Sequence, residues 1–219
     1  MADDGVAWDA IELDSGAAIP SFEGYDALMV MGGPMDVWQK SQHPWLLPEI
    51  QSIAQWVRSG KPYLGFCLGH QLLAEALGGA AGPADKPEIG IMPVALTSAG
   101  RNHWFFQNCP SKIMSLQWHS AEVIRLPQAA EILAESSACN VNAMSWGDCA
   151  VSVQFHVELT DTTIMEWGEV PAYAAALDTA LGTGALDRMH QSAMQHMSDF
   201  NRMSNTLYEN FVSRVRACQ

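Results

Sequence analysis

The most constraining feature of the sequence is an apolar strand pattern that turns directly into a helical pattern, with a cysteine at the junction. Residues 61–71 read KPYLGFCLGHQ, and the change occurs at Cys67. Gly65 and Gly69 flank it, and glycine permits the unusual backbone angles and close contacts that a sharp bend requires. Open α/β folds bind ligands at the carboxyl edge of the sheet, where such a bend lies. Cys67 is therefore a candidate reactive residue.

Strand and helix patterns alternate along the 219 residues. Continuously apolar or alternating runs predict seven strands, at residues 8–13, 27–31, 63–66, 91–96, 113–118, 141–146 and 150–155. Helical periodicity predicts helices at residues 45–58, from 68 to about 77, at 170–181, and in two stretches that reach residue 216. This order predicts an α/β fold with an open, mostly parallel sheet and helices on both faces. We expect one α/β domain at residues 1–160 and a helical extension at 161–219 packed on the same domain.

Composition and charge narrow the functional class. The net charge of −13 argues against nucleic acid and anionic membranes as partners. Five scattered cysteines without CxxC spacing are typical of free thiols in a reducing cytoplasm. The acidic start, Met1-Ala2-Asp3-Asp4, does not resemble a signal peptide, and no apolar run is long enough to span a bilayer. We predict a cytoplasmic protein with no metal and no cofactor, because zinc-ligand spacings and nucleotide-binding loops are missing from the sequence.

A second motif can support chemistry at Cys67. In the extended stretch QFHVE, His156 and Glu158 point to the same side. A thiolate nucleophile needs such a base and an orienting carboxylate. The amide of Leu68, at the start of the helix, and the amide of Gly33, in the GGP turn, are candidate donors to an oxyanion.

Three motifs together resemble the class I (triad) glutamine amidotransferase family. They are GGP at residues 32–34, GFCLGHQ at 65–71 and QFHVE at 154–158, and GYDAL at 24–28 and PEIG at 87–90 extend the match. The stand-alone GMP synthase-like amidotransferases are the most similar subgroup. The resemblance implies a flavodoxin-like fold.

The resemblance also implies roles for individual residues. Cys67 matches the nucleophile, His156 the general base and acid, and Glu158 the residue that orients the imidazole. Gly33 and Leu68 match the oxyanion donors. The implied substrate-binding residues are Gly32, Gln71, Trp118, His119 and Ser120. The implied reaction is attack on a γ-carboxamide, release of ammonia, and hydrolysis of a γ-glutamyl thioester.

The sequence departs from the family at two places. Val157 occupies a position that is usually proline, which leaves the backbone between His156 and Glu158 less constrained. Residues 2–5 resemble the end of the family's first helix, so the first strand and most of that helix are expected to be missing. A mis-assigned start codon, a damaged enzyme and a truncation that a neighbouring subunit repairs remain open as explanations. We expect a homo-oligomer contact or a rearranged helix to cover the exposed sheet edge.

The sequence is compatible with three functions. The chain is predicted to be a glutaminase that serves a separate synthetase subunit. It is alternatively a γ-glutamyl peptidase or amide hydrolase that acts without such a partner. The third possibility is a non-catalytic, truncated scaffold.

Overall fold

The computed structural model of the protein describes residues 5–218. Within this range the strands are β1 (Leu28–Val30), β2 (Tyr63–Phe66), β3 (Ala80–Leu96), β4 (Lys112–Arg125), β5 (Ala130–Glu135), β6 (Ala143–Trp146) and β7 (Ala150–Val153). The α-helices are α1 (Leu46–Arg58), α2 (Leu68–Ala76), α3 (Ser98–Asn102), α4 (Thr163–Gly168), α5 (Pro171–Leu181) and α6 (Ala185–Ala217). Short 3₁₀ turns occur at Leu13–Ser15 and Trp104–Phe106.

The strands form one sheet in the order β1-β2-β7-β6-β5-β3-β4. The predicted α/β class is confirmed, and helices cover both faces. The sheet is mixed rather than mostly parallel. Only β1–β2 and β2–β7 pair in parallel, whereas the pairs within β3–β6 and the β6–β7 pair are antiparallel. Short connections such as that between β6 and β7 allow hairpins, and hairpins are antiparallel.

Two apolar clusters hold the helices on the sheet. On one face, Leu46 and Ile53 of α1 pack with Leu72 of α2. On the other face, Leu64 of β2 belongs to the same cluster as Phe200 of α6. Full burial of a side chain of this size contributes about 1.5–3 kcal/mol. The sheet therefore has a packed core on each face, which positions the carboxyl ends of β2 and β7 rigidly.

The helical extension packs on the same apolar core as the sheet. Leu177 of α5 and Phe211 of α6 belong to the cluster that contains Leu64. The end of α6 lies against the turn before β7, where the Sγ atoms of Cys149 and Cys218 are 2.6 Å apart. The division of the chain at residue 160 stays a prediction.

Several predicted elements differ from the structure. Residues 8–13 do not form a strand, and Trp8 is 64% exposed. A strand needs hydrogen bonds from a neighbour, and no described strand lies beside this segment. Strand β5 was not predicted, because its sequence AEILAE also fits a helix. The two predicted helices after residue 184 are one continuous helix of 33 residues.

The edge of the sheet at β1 has no further strand among residues 5–218. The homo-oligomer that the sequence predicts at this edge stays a prediction. No helix in the described part of the chain is long and apolar enough to cross a membrane.

Candidate active site

Cys67 lies at a sharp bend between β2 and α2. Its backbone angles, φ 47° and ψ −101°, are unfavourable for a residue with a side chain. Such strain costs about 1–3 kcal/mol and persists only where the surrounding structure enforces it. The Cys67 amide donates to the Val153 carbonyl at 2.8 Å, which ties the bend to β7. The sulfur therefore lies at the N-terminus of α2, where the backbone amides and the helix dipole stabilise negative charge.

Close backbone packing explains the two glycines that flank the cysteine. A Cβ atom on Gly69 would lie 2.3 Å from the Val30 carbonyl oxygen of β1. A Cβ atom on Gly65 would lie 2.7 Å from the Gly69 carbonyl oxygen. The same Gly69 oxygen accepts a hydrogen bond from the Tyr63 hydroxyl at 2.8 Å. The bend thus depends on two positions that cannot carry a side chain without movement of the backbone.

His156 and Glu158 meet next to Cys67. His156 Nδ1 donates to a carboxylate oxygen of Glu158, and the other oxygen accepts from the Val157 amide at 2.9 Å. A Cβ atom on Gly32 would lie 3.4 Å from Cys67 Cβ and 3.5 Å from His156 Cε1, so these two side chains meet beside the GGP turn. Val157 therefore still allows the predicted contact between the imidazole and the carboxylate.

The electrostatic environment keeps this pair charged. Burial opposes the charged imidazolium, but the Glu158 carboxylate and the Cys67 sulfur outweigh it and raise the pKa of His156 to about 10. Burial also opposes the charged form of Glu158, but the His156 charge and hydrogen bonds hold the pKa of this carboxyl below its usual range. At neutral pH the buried imidazole therefore carries a proton close to the sulfur.

The backbone of His156 is held by β4. The His156 amide donates to the Leu116 carbonyl at 2.9 Å, and the Leu116 amide donates to the His156 carbonyl at 2.9 Å. The ring also packs edge-to-face against Trp167, with 4.8 Å between the ring centroids. These contacts fix the imidazole from β4 and α4.

Two buried glutamines connect the bend to the opposite wall. Gln154 Nε2 donates to Cys67 Sγ at 3.3 Å. Gln71 Nε2 lies 3.0 Å from Gln154 Oε1 and 3.3 Å from the Ala121 carbonyl oxygen. Sequence reasoning did not identify Gln154, although it lies two residues before His156 and on the same side of the extended chain.

A cavity opens beside Cys67, and most of the predicted site residues line it. Among the predicted oxyanion and substrate residues, those that line it are Gly33, Leu68, Gln71, Trp118, His119 and Ser120. Gly32 does not line the cavity but lies next to Cys67 and His156. The structure thus brings together all the residues singled out from the sequence, and their roles stay predictions. A larger cleft between residues 13–23 and α1 contains none of them.

The helical extension supplies one side of the cavity, which the sequence did not reveal. Ala172, Tyr173 and Ala176 of α5 line it. The ring of Tyr173 packs on Trp118 at a centroid distance of 5.6 Å and on Trp167 at 5.8 Å. Burial raises the pKa of the Tyr173 hydroxyl, and the nearby Cys67 adds to this effect. In the sequence, only the aromatic residues within 167–173 indicate that this segment could form a wall of the cavity.

His70, the residue after Gly69, is structural. Its side chain is fully buried, with Nδ1 2.9 Å from Ser152 Oγ and Nε2 3.0 Å from the Val141 carbonyl oxygen. Burial lowers the pKa of His70 to about 4, so the ring is neutral at pH 7. It connects α2 to β7 and to the segment before β6.

Comparison with known families agrees with the motifs and the geometry. The sequence profile described as "Glutamine amidotransferase class-I" matches residues 5–166. The chain belongs to the class I glutamine amidotransferase family. The bend at Cys67, the GGP turn and the His–Glu pair all lie inside the matched region.

Individual amidotransferase relatives cover most of the same region. A glutamine-hydrolyzing GMP synthase subunit of Sulfolobus acidocaldarius is 31% identical over 156 residues, which are 70% of this chain and 78% of that relative. Gamma-glutamyl peptidase 4 of Arabidopsis thaliana is 29% identical over 163 residues, which are 72% of this chain. The matched part is 64% of the peptidase, so the chain spans less than two thirds of that relative.

The fold of the amidotransferase family extends through the helical extension. The crystal structure of a glutamine amidotransferase from Thermotoga maritima superposes with a TM-score of 0.84 at 26% identity. The superposition covers 96% of this chain and 89% of that chain. The α5 and α6 region is therefore part of a shared architecture.

Proposed function

We propose that the protein hydrolyses the γ-carboxamide of glutamine with a Cys67–His156–Glu158 triad. The observation that carries the proposal is a strained cysteine at a helix N-terminus beside a buried imidazole whose pKa is raised to about 10. A thiolate beside an imidazolium is the form that attacks carbonyl groups. Membership of the amidotransferase family supports glutamine as the substrate.

In the proposed reaction the Cys67 thiolate attacks the carboxamide carbon, and the tetrahedral oxyanion forms between the amides of Leu68 and Gly33. His156 gives its proton to the departing ammonia, which leaves a γ-glutamyl thioester on Cys67. His156, now neutral, takes a proton from water as that water attacks the thioester. Glutamate is released, and the thiolate–imidazolium pair is restored. Glu158 holds the imidazole in one orientation throughout.

The test compares wild type, Cys67→Ala and Cys109→Ala with glutamine as substrate. Cys109 lies apart from the cavity and is partly buried, so it provides a matched cysteine control. We expect Cys67→Ala to lose at least about 10⁴-fold in turnover. Cys109→Ala should retain turnover. Ammonia release is measured by a coupled assay, and folding is checked by circular dichroism. Equal activity of wild type and Cys67→Ala would contradict the proposal.

A γ-glutamyl peptidase is the second candidate function, and the similarity to gamma-glutamyl peptidase 4 favours it. Both reactions use the same thioester and differ only in the leaving amine. Incubation with glutamine and, separately, with γ-glutamyl dipeptides distinguishes them. Faster release of amino acids from dipeptides than of ammonia from glutamine favours the peptidase.

The similarity to the GMP synthase subunit supports a further proposal, that a synthetase partner consumes the ammonia. Addition of such a partner should then raise the rate of glutamine turnover. We also propose a cytoplasmic location, where the Cys67 thiol stays reduced.

A further inference from the structure

A second cluster of reactive side chains lies outside the proposed triad. It consists of Glu88 in β3, His119 in β4 and Cys139 in the loop between β5 and β6. One potential ligand atom of each residue lies within 4.8 Å of the other two. All three are buried, with exposed fractions of 3%, 6% and 1%. Buried groups of this kind require partners, because an isolated charge away from water is unfavourable.

The orientation of His119 leaves one ring nitrogen facing this cluster. Nδ1 is 2.9 Å from the Ala121 carbonyl oxygen, which can only accept, so Nδ1 carries a proton. Nε2 is buried and has no hydrogen-bond partner. It lies 3.3 Å from Glu88 Oε2, which is near enough for a hydrogen bond. With Nδ1 protonated, the neutral ring carries a lone pair on Nε2, the nitrogen nearer the Glu88 carboxylate, and a metal ion binds such a lone pair.

The other two side chains are fixed by hydrogen bonds around the cluster. Ser136 Oγ lies 2.7 Å from each carboxylate oxygen of Glu88, and Asn142 Nδ2 donates to Oε2 at 3.3 Å. The Cys139 amide donates to Ser136 Oγ at 3.0 Å, and the Ser136 amide donates to the Cys139 carbonyl at 2.9 Å. Outer hydrogen bonds of this kind orient the ligands of metal sites.

We propose that Glu88, His119 and Cys139 bind a zinc ion. Thiolate, imidazole and carboxylate together form a donor set that Zn²⁺ prefers. The charges of a carboxylate and a thiolate would balance those of the ion, and a neutral imidazole adds none.

Zinc binding at this site requires the loss of one proton. Burial raises the pKa of the Cys139 thiol to about 12, and the carboxylates of Glu122 and Glu88 contribute to the rise, so the thiol is protonated at neutral pH. A metal binds the thiolate and releases that proton.

The position of the cluster indicates a structural role. The Ala121 carbonyl that accepts from His119 also accepts from Gln71, which lines the cavity beside Cys67. A bound ion would join β3, β4 and the loop after β5 beneath this wall of the cavity. The three ligands are different residues from those of the proposed triad, although His119 lines the same cavity as Cys67, so zinc binding can be measured without reference to the proposed hydrolysis.

The test is a titration of Cys67→Ser protein, stripped with a chelator, with Co²⁺ as a spectroscopic probe. The Cys67→Ser change removes the thiol of the proposed triad, which is itself able to bind metal beside His156. A thiolate-to-cobalt charge-transfer band is expected at one equivalent of Co²⁺, and Zn²⁺ should displace the cobalt and abolish the band. Release of about one proton per ion should accompany binding.

Cysteine variants show which thiolate gives rise to the cobalt charge-transfer band. The double variants Cys67→Ser/Cys139→Ser and Cys67→Ser/Cys109→Ser are compared, because Cys109 is a partly buried thiol outside the cluster. The first should lose the band and bind Zn²⁺ at least about 100-fold more weakly, and the second should be unchanged. Lack of a band in folded Cys67→Ser protein overturns the proposal, even if the Cys139→Ser variant fails to fold. A band that survives in folded Cys67→Ser/Cys139→Ser protein also overturns it.

Discussion

The parallel and antiparallel parts of the sheet contribute differently to the candidate active site. Strands β1, β2 and β7 are parallel neighbours, and the proposed triad lies at their carboxyl ends. Strands β3, β4, β5 and β6 are antiparallel, and they contribute one cavity wall and the proposed zinc ligands. The comparison indicates that the proposed catalytic residues come from short local motifs, whereas the cavity wall beside them depends on long-range strand pairing.

Besides the β6–β7 strand pair, the two parts of the sheet are connected at His156. Its backbone follows β7 but exchanges two hydrogen bonds with Leu116 of β4. A change of register in β4 would therefore move the imidazole as well as the cavity wall. Variants in each part of the sheet can therefore test whether the parallel part supplies the catalytic residues and the antiparallel part only the cavity wall.

The largest effect is expected for His156→Ala, compared with Ser120→Ala in the antiparallel wall. Loss of the group that transfers protons should reduce the turnover of glutamine by about 10⁴-fold. Ser120 is exposed at the cavity, and its change to alanine should reduce turnover by less than about 10-fold. Steady-state ammonia release measures both variants. A loss of turnover in Ser120→Ala as large as that in His156→Ala would contradict this assignment of roles to the two parts of the sheet.

The second prediction compares the loss of folding stability in Gly69→Ala with that in Gly82→Ala. A Cβ atom on Gly69 would lie 2.3 Å from a backbone oxygen of β1, so α2 must shift and stability should fall by about 3 kcal/mol or more. A Cβ atom on Gly82, in β3, would lie 2.7 Å from Cδ1 of Ile124, which is the end of a 58% exposed side chain. That side chain can rotate away, so Gly82→Ala should change stability by less than about 1 kcal/mol. Urea denaturation compares the two variants, and equal losses would contradict this explanation.

Glu158→Gln should lower turnover by about 10²-fold, less than His156→Ala, because the imidazole remains. It should also change the pH dependence. In wild type, His156 loses its proton near pH 10, so turnover should fall as pH rises through that value. Without the carboxylate charge that raises the pKa of His156, this fall should occur at lower pH. Profiles of kcat between pH 7 and 11 measure the change. If kcat falls at the same alkaline pH in Glu158→Gln as in wild type, Glu158 is not the group that raises the pKa of His156.

The smallest effect is expected for His70, which connects α2 to both parts of the sheet. Its folded pKa of about 4 lies below the ordinary value of 6.5, so the unfolded chain binds the proton first as pH falls. Stability should therefore decrease from pH 6.5 to pH 4, by about 2 kcal/mol at pH 5. Urea denaturation at pH 8 and pH 5 should show a smaller decrease in His70→Gln than in wild type or a His43→Gln control. Identical decreases in all three proteins would contradict this assignment.

The parallel part of the fold was predictable because its signals are local. The apolar run of β2, the glycines around Cys67 and the start of α2 all occur within residues 61–71. The spacing of His156 and Glu158 placed both side chains on one face of an extended chain, and the structure has them in contact.

The antiparallel part was less predictable because its contacts are long-range. Nothing within AEILAE distinguishes β5 from a helix, since its pairing with β3 and β6 decides the outcome. The cluster of Glu88, His119 and Cys139 has no spacing that a metal motif would show, because each residue comes from a different segment. Residues 8–13 have a strand-like pattern, but a pattern alone does not supply a hydrogen-bonding neighbour.

The α5 wall of the cavity has an evolutionary consequence. Tyr173 and Ala176 line the cavity beside Cys67, yet they lie after residue 166, where the match to the family profile ends. Substitutions in this one helix can alter which acyl group or leaving amine fits, while the bend and the His–Glu pair stay the same. In the proposed hydrolysis α5 takes no part in bond cleavage, so diversification of this one helix would change the amide substrate without changing the chemistry.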